Sequence, residues 1–365
     1  MAKPLLQFND KGIYCAAGDF YIDPWRPVDY AVITHAHSDH ARWGHKHYLA
    51  QTLSKGVLKY RLGDIQLENL DYGVPLLRNA VKISFHPAGH IIGSAQVRVE
   101  YKGEIWVVSG DYKTEDDGIS TPFEPVKCHT FISECTFGMP VYKWKAQQQV
   151  HDDINQWWRR NSEEGRATFI AGYSLGKAQR ILQHLDQSIG KVFLHGVIAN
   201  THDALANDGI QLPPASRIQP DTNREELRKG IVICPPSAIG SPWMRKIQPF
   251  SFGYCSGWMA LRGAKRRMAA DRGFILSDHA DWKGLMSAID ATGCECVCLT
   301  HGYTASFARY LRERGYNAHE AHTYYGEEDS EEEPALKEFM PHDGHVVAKN
   351  PDLSEQAEEK EGRGL

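Results

Sequence analysis

Residues 34–40 of the chain read THAHSDH and come directly after an apolar, β-type run. His35 and His37 are two positions apart, so an extended backbone points both side chains to the same side. Asp39 and His40 follow where the chain would turn into a helix, which lets them reach a second point close by. Imidazole and carboxylate ligands together suit Zn²⁺ or Mn²⁺. We predict a dinuclear metal site here, in preference to a chance cluster of surface side chains.

The HxHxDH spacing resembles the signature of the metallo-β-lactamase superfamily, and three other positions match that superfamily in chain order. Asp23 in FYIDP resembles its strand-end Asp that orients the site, His90 in PAGHIIGSA its third ligand motif, and Asp111 in VSGDY its bridging carboxylate. A GH in a turn or a GD after a strand is commonly structural when it stands alone. In register with an intact HxHxDH motif, both are interpreted as functional.

Three later motifs resemble the β-CASP branch of this superfamily, whose members are nucleases. Glu134 lies in the acidic motif FISECTFG, His279 in SDHADW and His301 in LTHG. SDHADW together with GWMALRG (residues 257–263) is most similar to the bacterial DNA-ligase-associated DNA exonucleases. The branch also includes Artemis and the crosslink-repair nucleases, RNase J and the pre-mRNA 3′-end endonuclease. The match runs from residue 12 to residue 325.

The resemblance implies an α/β fold, namely the metallo-β-lactamase αββα sandwich with an inserted β-CASP α/β domain. Short β-type runs such as Gly12–Ile22 dominate the first third of the chain, and helical patterns enter with Ala146–Arg160. The expected parts are a first section of the metallo-β-lactamase domain at 1–144, the insertion at 145–271, a second section at 272–325 and an acidic, disordered tail at 326–365.

Carried over position by position, the resemblance implies two divalent metal ions, Zn or Mn. One ion is expected on His35, His37, His90 and Asp111, and the other on Asp39, His40, His301 and the shared Asp111. Asp23 and Asp39 also count among the catalytic residues. His279 is expected outside the metal ligands as a general acid, with Glu134 holding its tautomer and raising the pKa of the imidazole. The alternative for His279 is a core histidine bonded to a carbonyl.

Five residues are candidates for binding the substrate. Ser174 and Lys177 lie in GYSLGK, which fails as a P-loop because it is one residue short and lacks the Ser or Thr after its Lys. What remains is a small-residue loop that either binds a phosphate or simply starts a helix. Ser237 lies in PPSAIGS, a candidate loop over the cleft. Arg262 and Arg266 belong to a basic cluster that is either a backbone-binding patch or an ordinary solvated helix face.

Charge is unevenly distributed along the chain. The formal net charge is −5, but residues 326–365 carry 13 acidic and 4 basic side chains, which leaves about +4 on the rest. A mildly basic body is consistent with binding DNA or RNA. Neither a secretory signal nor an 18-residue apolar run is visible, and the eight cysteines show no paired framework. We therefore expect a cytoplasmic protein with no membrane partner.

A DNA exonuclease serving DNA repair is the function that the resemblance favours, with a DNA ligase and a helicase as implied partners. An RNA-processing nuclease of the same chemistry is the alternative, because nothing in the sequence reads the 2′-hydroxyl. A non-catalytic nucleic-acid-binding protein is a further alternative. A small-molecule hydrolase is disfavoured, since Glu134, His279 and the long insertion between them have no purpose in that chemistry.

Overall fold

The structure of the protein is a computed structural model that describes residues 4–321. The strands are β1 (Gln7–Asn9), β2 (Gly12–Cys15), β3 (Phe20–Ile22), β4 (Tyr30–Ile33), β5 (His47–Gln51), β6 (Leu67–Leu70), β7 (Leu76–Arg78), β8 (Val81–Pro87), β9 (Ala95–Tyr101), β10 (Glu104–Val108), β11 (Thr130–Cys135), β12 (Ala167–Ala171), β13 (Val192–Leu194), β14 (Ser216–Arg217), β15 (Ile231–Cys234), β16 (Phe250–Cys255), β17 (Arg272–Phe274), β18 (Cys296–Gly302) and β19 (Asn317–Glu320). The α-helices are α1 (Lys55–Leu62), α2 (Gln147–Glu163), α3 (Lys177–Gln183), α4 (Gly196–Asn207), α5 (Arg224–Lys229), α6 (Pro242–Arg245), α7 (Ala264–Arg267), α8 (Trp282–Thr292) and α9 (Thr304–Glu313). Short 3₁₀ turns lie at Thr52–Ser54, Pro236–Ala238 and Gly257–Ala260. The tail expected at 326–365 lies outside the described residues.

The strands form three sheets. The first sheet runs in the order β1-β2-β3-β4-β5-β6, and the second in the order β19-β18-β11-β10-β9-β8-β7. The third has the order β14-β13-β15-β12-β16-β17, and its strands are all parallel. The sequence-based prediction of an α/β fold is confirmed. None of the helices within residues 4–321 combines the length and the apolar character that crossing a bilayer requires.

The first two sheets pack face to face, and each carries helices on its outer face. Val32 of β4 lies in the apolar cluster between the sheets, whereas its neighbours Ala31 and Ile33 pack outward with residues of α1 and α4. On β11, Ile132 likewise faces inward and Phe131 packs outward with α8 and α9. This alternation follows from the two-residue period of a strand. The result is four layers: helix, sheet, sheet, helix.

The third sheet lies entirely within residues 167–274, between two strands of the second sheet. Every residue of Ala167–Ala171 and of Ile231–Cys234 is buried, as expected for parallel strands with helices on both faces. Helices α2, α3 and α4 pack on one face, and α5, α6 and α7 on the other. The chain then returns, because β18 pairs in parallel with β11. Because of this pairing, the carboxyl ends of β11 and β18 lie side by side, although they are far apart in the sequence.

The run predicted at Gly12–Ile22 is not one continuous strand. It forms the antiparallel pair β2 and β3, because the chain reverses between them at Asp19, which has a φ of 52°. This hairpin places Asp23, the residue after β3, against the end of the neighbouring strand β4.

Candidate metal centre

The THAHSDH stretch begins directly after β4 and lies at the carboxyl end of that strand. His35 and His40 are buried, and His37 and Asp39 are half-buried. The backbone N–H and the hydroxyl of Thr34 both donate to the Asp23 carboxylate, at 2.7 and 2.5 Å. The two ends of strands β3 and β4 are therefore tied together at the point where the candidate ligands begin.

Asp111 lies at the centre of the candidate ligands. Its Oδ2 is 3.6 Å from His35 Nε2 and 3.7 Å from His90 Nε2. Its Oδ1 is 3.6 Å from His40 Nε2 and 2.9 Å from His301 Nε2. Because the two oxygens of one carboxylate face different groups of imidazoles, Asp111 has the geometry of a bridging carboxylate.

Two ligand sets can be defined around Asp111. In the first ligand set, one ligand atom from each of His35, His37, His90 and Asp111 lies within 4.8 Å of the others. The second ligand set consists of Asp39, His40, Asp111 and His301. Ligand atoms of His40, Asp111 and His301 lie within 4.8 Å of one another, and His40 Nε2 is 3.6 Å from Asp39 Oδ2. The structure therefore brings together all seven residues proposed as ligands on sequence grounds.

The residues of both sets suit a divalent cation. His35 Nε2 is buried and has no hydrogen-bond partner within residues 4–321, whereas buried polar atoms in native proteins are normally paired. Imidazole nitrogens and carboxylate oxygens are the donors that Zn²⁺ and Mn²⁺ accept. A metal ion bound to His35 Nε2 would give that buried atom a partner. Asp111 is shared by the two ligand sets and would link the ion to the second set.

Three of the candidate imidazoles are oriented by partners on their other ring nitrogen. His40 Nδ1 donates to Asp23 Oδ2 at 2.7 Å. His90 Nδ1 donates to the carbonyl oxygen of Asp278 at 2.8 Å, and His37 Nε2 to that of Leu175 at 3.2 Å. Such contacts fix the tautomer and direct the remaining nitrogen towards a metal.

Burial and the neighbouring carboxylates shift the pKa values of the histidines in the centre. Burial lowers the pKa of His90 to about 3 and that of His35 well below its usual range, so both rings are neutral, as ligands must be. Burial opposes the ionisation of Asp111, but the surrounding imidazoles, led by His40, hold its pKa low. Burial also opposes the protonation of His40, yet Asp39 and Asp111 raise its pKa to about 10. The second ligand set thus stabilises positive charge.

His279 and Glu134 form a pair beside the centre. His279 Nδ1 donates to Glu134 Oε1 at 2.8 Å, and the Glu134 side chain is fully buried at the end of β11. Burial opposes the protonation of His279, but Glu134 and Asp111 raise the pKa of the imidazole to about 9. The His279 ring is 4.7 Å from the His90 ring, and its side chain remains 22% exposed. It can therefore meet a substrate as an imidazolium.

The five candidates for substrate binding differ in their exposure. Ser237, Arg262 and Arg266 are exposed, and Ser174 is half-buried. Lys177 is buried, with its ammonium 3.3 Å from Asp278 Oδ2 and 4.5 Å from the centroid of the Tyr173 ring. A role for these five in binding substrate stays a prediction.

Sequence reasoning missed three residues that support the centre. Leu175 acts through its carbonyl oxygen, for which a sequence carries no signal. Asp278 lies in the SDHADW motif, where the sequence indicates a role for His279 but none for Asp278 itself. Arg180, which is fully buried and 2.8 Å from Asp278 Oδ1, lies three residues after the segment compared with a P-loop, and its hydrophilic type gives no indication of burial.

Comparison with known proteins identifies relatives for most of the chain, although no protein-family model matches it. A protein named "Probable DNA ligase" from Opitutus terrae is 32% identical over 311 residues, which are 84% of this chain and 30% of that protein. Cleavage and polyadenylation specificity factor subunit 3 from Dictyostelium discoideum is 29% identical over 39% of this chain and 18% of its own. Transcription termination factor FttA from Methanosarcina mazei is 24% identical over 48% of this chain and 34% of its own. This chain thus spans about a third or less of the length of these relatives.

A solved structure supports the fold alone. A protein of unknown function from Enterococcus faecalis V583 covers 74% of each chain, with a TM-score of 0.53 and 12% identity. The His and Asp side chains gathered around Asp111 are residue types that metal-dependent hydrolases use as ligands. With the relatives above, the chain belongs to the metallo-β-lactamase/β-CASP nuclease family.

Proposed function

We propose that the protein is a two-metal-dependent phosphodiesterase, a DNA exonuclease that acts in DNA repair. The observation that carries this proposal is the position of Asp111, whose two carboxylate oxygens face two separate groups of imidazoles. The first ligand set would hold one divalent ion, Zn or Mn, and the second ligand set the other. Two such ions supply an ionised water near neutral pH and offset charge on the phosphate being cleaved.

The protein's own groups would complete the reaction. Glu134 and Asp111 raise the pKa of His279, which favours its imidazolium form, and the ring is partly exposed, so it can donate a proton to the leaving 3′-oxygen. Glu134 holds the Nδ1 proton of His279 and thereby directs the opposite ring nitrogen, Nε2, outward. Asp23 orients His40, and Asp39 adds negative charge to the second ligand set. A small-molecule hydrolase would have no need of the Glu134–His279 pair.

The proposed architecture is the metallo-β-lactamase αββα sandwich with an inserted β-CASP domain. The four layers built on the first two sheets support the sandwich, and the third sheet, whose strands all lie between residues 167 and 274, supports the insertion. The proposed sections are 1–144, 145–271 and 272–325. A cleft between the sandwich and the insertion would expose the centre to a nucleic acid strand.

The substrate is proposed to be DNA. The relative from Opitutus terrae matches over 84% of this chain and bears the name of a DNA ligase, which favours DNA and favours a ligase as functional partner. RNA is the second candidate, because shorter matches include proteins named Endoribonuclease YSH1. The exposed Arg262 and Arg266, on and beside α7, are proposed to contact the phosphate backbone, as are Ser174 and Ser237. Lys177 could join them only by leaving Asp278, which its buried ammonium contacts at 3.3 Å. A helicase partner and a cytoplasmic location remain proposals from the resemblance.

One digest tests substrate and direction together. End-labelled single- and double-stranded DNA and RNA, with 5′-phosphate or 5′-hydroxyl ends, are incubated with the protein and Mn²⁺. Stepwise shortening of DNA from one end is the expected result. Cleavage of RNA with DNA left intact would replace the proposed substrate, and internal cuts would replace the proposed mode. Asp111→Asn serves as the control for contaminating nucleases.

A further inference from the structure

The inserted segment, residues 145–271, contributes none of the candidate ligands, yet it contacts one imidazole of the first ligand set directly and a second one through Asp278. Leu175, in the loop before α3, accepts the hydrogen bond from His37, and Asp278, shortly after β17, accepts the one from His90. We propose that α3 and the loop before it control metal affinity at the first ligand set alone, with Gln179 and Arg180 as positioning residues. This inference rests on the proposed two-metal centre.

Gln179 fixes the carbonyl group that orients His37. Its side-chain Oε1 accepts from the backbone N–H of Gly176 at 2.7 Å, and its Nε2 donates to the carbonyl oxygen of Ser174 at 3.0 Å. These two residues flank Leu175, so the buried Gln179 amide holds the loop on both sides of the carbonyl that His37 contacts. Loss of this amide would leave the Leu175 carbonyl free to turn away.

Arg180 fixes the group that orients His90. Its Nη1 donates to the carbonyl oxygen of Ser277 at 2.5 Å and to Asp278 Oδ1 at 2.8 Å, and its Nη2 donates to Gln147 Oε1. Lys177 holds the other carboxylate oxygen of Asp278. The Asp278 backbone that accepts from His90 is therefore fastened to α3 through its own side chain. Planar guanidinium contacts of this kind fix direction as well as distance.

The second ligand set is oriented from other parts of the chain. His40 donates to Asp23 at the end of β3, and His301 Nδ1 lies 3.2 Å from the hydroxyl of Thr300 on β18. Asp23 directly follows a strand of the first sheet and Thr300 lies in a strand of the second, whereas Leu175 belongs to the inserted segment and Asp278 is bound to α3 through Arg180 and Lys177. A change in α3 should therefore weaken one metal and spare the other. A general loosening of the protein would weaken both.

The test is a two-step Co²⁺ titration of the metal-free full-length protein, followed by calorimetry and visible absorption. In Gln179→Leu and in Arg180→Gln we expect one binding step to weaken by about 10–100-fold, the usual effect of losing a partner that orients a metal-bound imidazole. The other step should match the parent protein. Arg180→Lys keeps the positive charge but lacks the planar guanidinium group, so its metal affinity should lie between that of Arg180→Gln and that of the parent. Arg159→Gln, which removes an exposed ion pair with Asp186 in the same segment, should bind as the parent does.

Equal weakening of both steps, or no weakening of either, would overturn the inference. A parent protein that takes up no divalent ion would instead overturn the proposed function, so the two failures are distinguishable. If either variant fails to fold, amide hydrogen exchange on the parent decides. Coupling between two sites is reciprocal, so if the conformation of α3 affects metal binding at the first ligand set, metal binding there must stabilise α3. Exchange over 174–183 should slow about 10-fold with Co²⁺ while α5 stays unchanged; unchanged exchange over 174–183 would refute the coupling.

Discussion

Replacing His279 by Ala removes the proposed proton donor without removing a candidate metal ligand. The change should also leave the fold intact, because Glu134 keeps two backbone donors, the N–H groups of Tyr112 at 3.2 Å and of Thr136 at 3.0 Å. We therefore expect the variant to retain full metal content and near-parent affinity for DNA. Only the chemical step should suffer.

The expected loss in turnover is about 10²–10⁴-fold, the range for a positioned general acid. That corresponds to about 2.7–5.4 kcal/mol of transition-state stabilisation at 1.36 kcal/mol per tenfold change in rate. The contact at 2.8 Å with the buried Glu134 carboxylate makes His279 a positioned acid, to which this range applies. Glu134→Gln should give a smaller loss, because the acid remains and only its orienting partner is weakened.

The assay compares two substrates under single-turnover conditions: end-labelled DNA and a nitrophenyl phosphodiester, whose leaving group needs no proton. The loss in His279→Ala should shrink on the nitrophenyl substrate. His86→Ala, a half-buried histidine of β8 outside both ligand sets, should show parent-like rates on both. Equal losses on the two substrates, accompanied by a lower melting temperature, would make His279 a structural residue and refute its catalytic role.

Three further changes test other parts of the account. Asp39→Ala should abolish nuclease activity and lower bound metal from about two equivalents, with the circular dichroism spectrum unchanged; a variant that cuts at the parent rate would contradict the ligand assignment. Asp23→Asn should weaken one metal about 10–100-fold, because His40 loses the carboxylate on its Nδ1, and a parent-like titration would count against that role. Burial and the neighbouring His184 lower the pKa of His151 to about 3 in the folded protein. As the pH falls below about 6.5, His151 takes up a proton in the unfolded chain but not in the folded one, so the free energy of unfolding of the parent protein decreases. Between pH 7 and pH 5, the free energy of unfolding of His151→Phe, measured with urea, should therefore fall by up to about 2 kcal/mol less than that of the parent, at 1.36 kcal/mol per pKa unit. An identical decrease in both proteins would contradict this prediction.

The candidate ligands could be named from the sequence because they lie in short motifs at strand ends. The partners of those ligands could not. Leu175 is 138 positions from His37, and Asp278 is 188 positions from His90, and each acts through a backbone carbonyl that every residue type possesses. Only the folded chain shows which carbonyl faces which ring.

Burial of charge was the second feature that the sequence did not show. Lys177 follows a small-residue loop that was open to either phosphate binding or a simple helix start, and in the structure its ammonium faces inward to Asp278. Helix α8 was also missed, although Asp281 provides the start signal by accepting from the N–H of Gly284. That residue lies inside SDHADW, which was interpreted as a catalytic motif alone.

The central claim is that phosphodiester hydrolysis depends on two ions held around Asp111. It is tested most directly by measuring the rate of DNA hydrolysis as Mn²⁺ or Zn²⁺ is added to the metal-free protein in known equivalents. We expect negligible hydrolysis up to one equivalent, a rise as the second equivalent binds, and no rise in Asp111→Asn. Full activity at one equivalent or in the presence of a chelator, or no hydrolysis of any nucleic acid with both positions filled, would contradict the account.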